Sequence, residues 1–226
     1  MKHLTVPFIP DLPHESPLAL VSDRLDQLPA QYLEVALWTN GEPLPKVAFV
    51  MAHGQDCLYL KYKVEEETVL ARYRSINEPV YKDSCVEFFL SFGDDGTYYN
   101  LEVNCLGTCL LAYGRGRDNR KLLPASIVSA IEHLAHLKVC NHGCTGKAWE
   151  LTLRIPAWVF SEHQLERFSG LQARGNFYKC GEDLPAPHYL AWQPIEAPEP
   201  DFHRPEQFGR ISFASASFDS INKHIS

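Results

Sequence analysis

Residues 84–104 read SCVEFFLSFGDDGTYYNLEVN. Val86, Phe88, Leu90 and Phe92 recur at every second position, and beyond the turn so do Tyr99, Leu101 and Val103. A period of two places each set on one face of a strand. Gly93, Asp94, Asp95 and Gly96 between them are the residue types a tight reversal needs. The stretch therefore predicts an antiparallel hairpin with one apolar face. Pairing Phe92 with Thr97 across the loop sets Glu87 opposite Glu102, on the face that also carries Asp83, Cys85, Phe89, Tyr98, Asn100 and Asn104. Directly opposed carboxylates repel. That face calls for a basic side chain, a shared proton, a cation or hydroxyl donors, unless it is simply solvated.

Outward from the hairpin, the turn at 104–107 leads into TCLLAY (108–113), a third strand. Upstream, CLYLKYKV (57–64) alternates in the same way, and 31–38 and 46–51 read as shorter strands around the turn-rich TNGEPLP. Downstream, AWELTLRI (148–155) sets Trp149, Leu151, Leu153 and Ile155 on one side, and Pro156 ends it. Short strands follow at 189–192 and 210–213. Residues 124–138 fit either a short amphipathic helix through Ile127, Ile131, Leu134 and Leu137, capped by Ser126, or a strand with a loop. Many short strands, Gly and Pro turns and no long helix predict an all-β antiparallel sandwich with one or two short helices. The proline-rich residues 1–30 are expected to form an irregular arm packed on a single domain spanning 31–226.

The 226 residues carry 28 acidic against 21 basic side chains, a net charge of −7. No basic stripe exists to displace counterions from phosphates, which argues against a nucleic-acid partner. The short cluster Arg115, Arg117, Arg120 and Lys121 reads as a solvated loop. No apolar run approaches the roughly 18 residues of a membrane span, so no membrane partner is expected. The first residues lack the apolar core of a signal peptide, and the odd count of seven cysteines favours reduced thiols. A cytoplasmic location is the expectation.

The segment 175–213 is dense in aromatics (Phe177, Tyr178, Tyr189, Trp192, Phe202, Phe208 and Phe213) and holds six prolines. Ordered loops of this kind often carry function. Trp149 and Trp158 read as structural, whereas Trp38 and Trp192 are freer to line a site, Trp192 the more so. His188 and His203 read as members of hydrogen-bond networks, and Cys180 has no assignable base. Cys140, His142 and Cys144 offer three ligands in five residues. A structural zinc site takes four, usually in two spaced pairs, so no metal is assigned. The chain has no nucleophile elbow, phosphate loop or zincin helix. It therefore carries no assigned catalytic residue and no expected cofactor.

Taken in order, PVYKDSCVEFFLSF, YYNLEVNCLGT, GNFYKCG, PHYLAW and FHRPEQFG resemble the family 9 carbohydrate-binding-module-like proteins, which are DOMON-like β-sandwiches. The resemblance runs from about Trp38 to Phe213. It implies a jelly-roll-like sandwich that recognises a mono- or oligosaccharide without catalysis. It further implies that Tyr81 is the first stacking ring, where such modules usually have tryptophan, and that Glu87 is a hydroxyl partner. Asn100 and Glu102 lie on the neighbouring strand, and the second ring comes from Trp192 or Phe202, beside His203. Two other readings are an enzyme using Glu87 or Glu102 as acid or base on a small carbohydrate, and a haem-binding domain like some DOMON relatives. For the latter only Met1 and Met51 are available as methionine ligands.

Overall fold

The 84–104 hairpin lies inside the larger of two stacked sheets, with Glu87 opposite Glu102 as the alternation requires. The computed structural model describes residues 1–12, 15–38, 43–139 and 146–216, so the Cys140/His142/Cys144 cluster lies outside the described residues. In chain order the strands begin with β1 (His3–Val6), β2 (Gln31–Tyr32), β3 (Val35–Leu37), β4 (Lys46–His53) and β5 (Cys57–Glu66). The hairpin and its continuation supply β6 (Cys85–Ser91), β7 (Tyr98–Asn104), β8 (Cys109–Gly114) and β9 (Lys121–Leu122). The last five are β10 (Glu132–Val139), β11 (Lys147–Pro156), β12 (Gln172–Cys180), β13 (Tyr189–Ala191) and β14 (Gly209–Phe213). Two short helices, α1 (Leu18–Leu25) and α2 (Ala125–Val128), complete the order.

Among the described residues the larger sheet runs β1-β14-β12-β6-β7-β8-β9, with β13 and β3 branching from β12, and the smaller runs β10-β11-β5-β4-β2. The apolar sets predicted from period two meet between them. Val86, Phe88, Leu90, Leu101 and Phe177 from the larger sheet pack on Phe49, Leu60, Tyr62, Trp149 and Leu151 from the smaller. Trp149 is fully buried and its indole N–H donates to Glu66 Oε1 at 2.7 Å. The β-sandwich expected from the sequence is the fold.

Several local expectations need correction. Residues 31–38 are not one strand: β2 pairs with β4 in the smaller sheet and β3 with β13 in the larger, so the chain crosses between layers at Leu33. The first 30 residues are not an irregular arm. Leu4 and Val6 alternate into the core from β1, which pairs parallel to β14 in a sheet whose other described ladders are antiparallel. In α1, Val21 and Leu25 stand four apart, and they pack with Ile9, Leu12, Val50 and Tyr59 on the outer face of the smaller sheet. Residues 124–138 contain both alternatives in turn, α2 and then β10, and Pro124 rather than Ser126 takes the helix-cap position. Trp158, expected to be structural, is exposed.

Candidate functional site

The outer face of the larger sheet carries its own apolar layer, separate from the sandwich core. Phe89, Tyr98, Tyr178, Cys180, Phe202 and Phe208 are buried there, with Trp38, Tyr81 and Tyr189 half-buried against them. The loops around residues 115–120 and 195–203 and the 3₁₀ turn Val80–Lys82 rise around this layer. They enclose a cleft of about 310 Å³. Tyr81, Glu87, Asn100, Glu102, Phe202 and His203 all line it, so six of the seven residues singled out in the sequence come together.

The polar floor follows from strand register. Glu87 and Glu102 are direct partners on β6 and β7, and Asn100 stands two residues from Glu102 on the same face. Both carboxyls are nearly buried, at 4% and 5% exposure. Asn100 Nδ2 donates to Glu102 Oε1 at 2.8 Å, and the Cys180 thiol donates to Glu87 Oε1 at 2.9 Å. Glu102 Oε2 is buried without a hydrogen-bond partner among the described residues. Burial pushes the Glu102 carboxyl up to about 7, with Asn100 and Arg120 acting against it. Glu87 is driven well above the usual carboxylate range by burial first, then by Cys180 and Glu102. That shift favours the protonated form of Glu87, which can donate, beside acceptor oxygens on Glu102.

Arg120 orders this floor. Its Nε donates to Asn100 Oδ1 at 2.7 Å, while Nη1 and Nη2 reach the carbonyls of Gly116 and Tyr98, each at 2.8 Å. Its guanidinium lies 4.1 Å from the centre of the Tyr98 ring. Arg120 is thus not part of the solvated basic loop that its sequence neighbours Arg115, Arg117 and Lys121 suggest. A strand-spanning fork of this kind is set by tertiary contact and leaves no local signal. Tyr98 gives its one proton to the Gly116 carbonyl at 2.8 Å, so His203 Nδ1, 2.7 Å away, is the donor to the phenol oxygen. Burial, with Arg120 next, holds the His203 imidazole down to about 4, so it is neutral at pH 7. Nε2 is then the acceptor nitrogen.

The rings are arranged unequally. Phe202 is 8% exposed, stacked on Tyr178 with centroids 4.1 Å apart and edge-on to Tyr189 at 5.9 Å. It buttresses the cleft more than it opens onto it. Tyr81 and Tyr189 are the half-exposed rings of the lining. Asp83 holds the approach to Tyr81, accepting from the backbone N–H groups of Arg72 and Tyr73 and from Asn104 Nδ2, all at 3.0 Å.

Trp192 does not reach the site. Its ring is 1% exposed in the sandwich core, against Phe49 and Phe177. A Cβ added at Gly209 would lie 2.5 Å from it, so the neighbouring strand is shaped to receive the indole. Tyr189 occupies the place expected of Trp192. The signal was present as parity: Leu190 and Trp192 face the core, whereas Tyr189 and Ala191 face the cleft. The cleft also offers no methionine, since Met51 is buried in the core and Met1 lines a different surface hollow.

Larger hollows exist, one of about 560 Å³ bounded by Leu44, Glu66, Lys147, Leu184 and His188. Among the described residues it presents no Phe, Tyr or Trp ring, and the Glu66 and His188 of its lining are already joined to Lys179, whose Nζ lies 2.8 Å from both Glu66 Oε2 and His188 Nε2. Size alone does not outweigh the chemistry of the smaller cleft.

Residues 16–213 match the sequence model of carbohydrate-binding family 9. A crystal structure of a protein from Bacteroides uniformis ATCC 8492, provisionally assigned as carbohydrate-binding, superposes with a TM-score of 0.84 at 33% identity, covering 94% of this chain and 99% of that one. A family 9 carbohydrate-binding module from Caldicellulosiruptor kristjanssonii in complex with cellotriose shares the fold, with a TM-score of 0.58 at 14% identity over 97% of each chain. The module from that organism in complex with glucose gives 0.55 at 14% identity, over 96% of this chain and 98% of that one. Among curated proteins there is no significant match.

Proposed function

The chain belongs to carbohydrate-binding family 9, and from that premise we propose that it is a non-catalytic domain that takes a mono- or oligosaccharide into the Tyr81–Glu102 cleft. The observation that carries this reading is the union, in one cleft, of half-exposed tyrosine rings with buried carboxyl and amide groups. Pyranose rings have apolar C–H faces that aromatic rings cover and hydroxyls that carboxyl and amide groups bind in pairs. Tyr81 and Tyr189 cover the sugar face, Glu87 and Glu102 hold hydroxyls, and Asn100, fixed by Arg120, orients Glu102. Phe202 backs Tyr189, and His203 Nε2 accepts from the rim. The glucose and cellotriose held by the Caldicellulosiruptor kristjanssonii modules make gluco-configured sugars the first ligands to test.

The paired carboxyls favour binding over glycoside cleavage. Cleavage needs two carboxyl groups on either side of the scissile bond. Here both rise from adjacent strands at opposed positions and so stand side by side on one wall.

Isothermal calorimetry with glucose, cellobiose and cellotriose tests the proposal, with Glu102→Gln and Tyr81→Ala as controls. Saturable heat that either substitution weakens supports it. Heat unaffected by both, or no heat with any member of a broad saccharide panel, sinks it.

A further inference from the structure

Cys85 and Cys180 are direct cross-strand partners on β6 and β12. Glu87 follows Cys85 by two residues, so the pleat sends all three side chains to the cleft side of the sheet. The two sulfurs and a Glu87 carboxylate oxygen lie within 4.8 Å of one another, and all three residues are buried. The two thiols also interact with each other. Cys85 Sγ donates to the Val86 carbonyl at 3.5 Å, and Cys180 Sγ meets the Tyr81 carbonyl at 3.4 Å besides the Glu87 carboxyl. Arg120, the cation that acts on Glu102, spends its hydrogen bonds on Asn100 and backbone carbonyls.

Two thiolates and one carboxylate are a borderline-soft donor set. Calcium and magnesium prefer oxygen alone, whereas ions of the zinc class accept this mixture in a tetrahedron. Cys180 and Glu87 line the cleft, and Cys85 lies behind them. Three protein ligands then leave the fourth position facing the cleft.

We propose that Cys85, Glu87 and Cys180 form a three-ligand site for a thiophilic divalent cation of the zinc class. Coordination releases the protons of both thiols and the proton held on the Glu87 carboxyl to solvent, and the dication offsets the negative charge of the two thiolates and the Glu87 carboxylate. Metal and saccharide share Glu87, so the cation bears on the same cleft through its floor. The site itself needs no saccharide.

The test is a titration of the reduced protein with Co²⁺ under anaerobic conditions, in a chain carrying Cys140→Ser and Cys144→Ser to remove the cysteines that flank His142. The expected result is a thiolate-to-cobalt charge-transfer band that saturates at one equivalent and is bleached by Zn²⁺. Cys180→Ser abolishes the band, and Glu87→Gln lowers the affinity at least ten-fold. A folded chain without the band, as judged by its thermal melt, overturns the proposal. So does a band that survives both Cys85→Ser and Cys180→Ser. The band is read without saccharide, so its absence leaves the saccharide reading standing, and calorimetric failure with sugars leaves the metal site standing.

Discussion

Tyr189 and Trp192 stand three residues apart, and they lie on opposite faces of the larger sheet. Tyr189 opens onto the cleft beside Phe202, whereas Trp192 is packed edge-on against Phe177 with ring centroids 5.7 Å apart. The two aromatics therefore answer to different forces. One is available to a ligand, and the other completes the sandwich core.

Replacing Trp192 by alanine leaves a cavity between the sheets that Phe49 and Phe177 cannot close without moving. The expected cost is about 3–5 kcal/mol of folding stability. Urea denaturation measures it, and a loss near zero would contradict the core placement.

Tyr189→Ala removes a half-exposed ring and is expected to leave stability nearly unchanged while weakening saccharide affinity roughly three- to ten-fold. Calorimetry beside a thermal melt separates the two effects. Affinity equal to that of the parent chain would remove Tyr189 from the proposed clamp.

Tyr81→Trp enlarges the stacking face at the cleft mouth. The expected outcome is a several-fold gain in affinity for gluco-configured sugars, carried by slower dissociation. Stopped-flow tryptophan fluorescence reads both rates, and weaker binding would mean that the ring at 81 abuts the ligand edge-on.

Arg120→Lys keeps the charge but loses the planar fork that serves Asn100, Tyr98 and Gly116 together. Saccharide affinity is expected to fall about ten-fold, because Asn100 is no longer held toward Glu102. If the lysine variant bound like the parent, charge rather than orientation would be the role of Arg120.

Stability depends on pH through the same carboxyls. The Glu102 carboxyl is pushed up from 4.5 to about 7, so the folded chain keeps a proton that the unfolded chain releases in that window. Its contribution is fully present below about 4.5 and is lost as pH rises through 7. His203 acts in the opposite sense: held down from 6.5 to about 4, it stays neutral in the fold and lowers stability as pH falls through that window. Glu102→Gln removes the first effect and leaves that of His203 in place. The stability of the parent chain minus that of the variant is therefore expected to decline between about pH 5 and 7.5, by at most about 3 kcal/mol. Urea midpoints across pH measure it, and a flat difference would contradict the raised carboxyl.

Period-two alternation and turn chemistry are local properties, and they determined the hairpin, its register and the opposition of Glu87 to Glu102. They also marked Asn100 and Glu102 as members of one face. The same rule applied to residues 189–192 distinguishes Tyr189 from Trp192, since a strand cannot point both inward. What alternation does not carry is which remote loop closes over a face. Arg120 bridges to Asn100 from a loop twenty residues away, and His203 meets Tyr98 across more than a hundred. The approach of Cys180 to Cys85 and Glu87 depends on β12 pairing with β6, a contact between strands more than ninety residues apart. The sequence by itself thus determined a β-sandwich and the polar face of its central hairpin. Only the tertiary structure decided that this face is roofed into a cleft, because long-range strand pairing and buried charge are set by packing rather than by neighbouring residues.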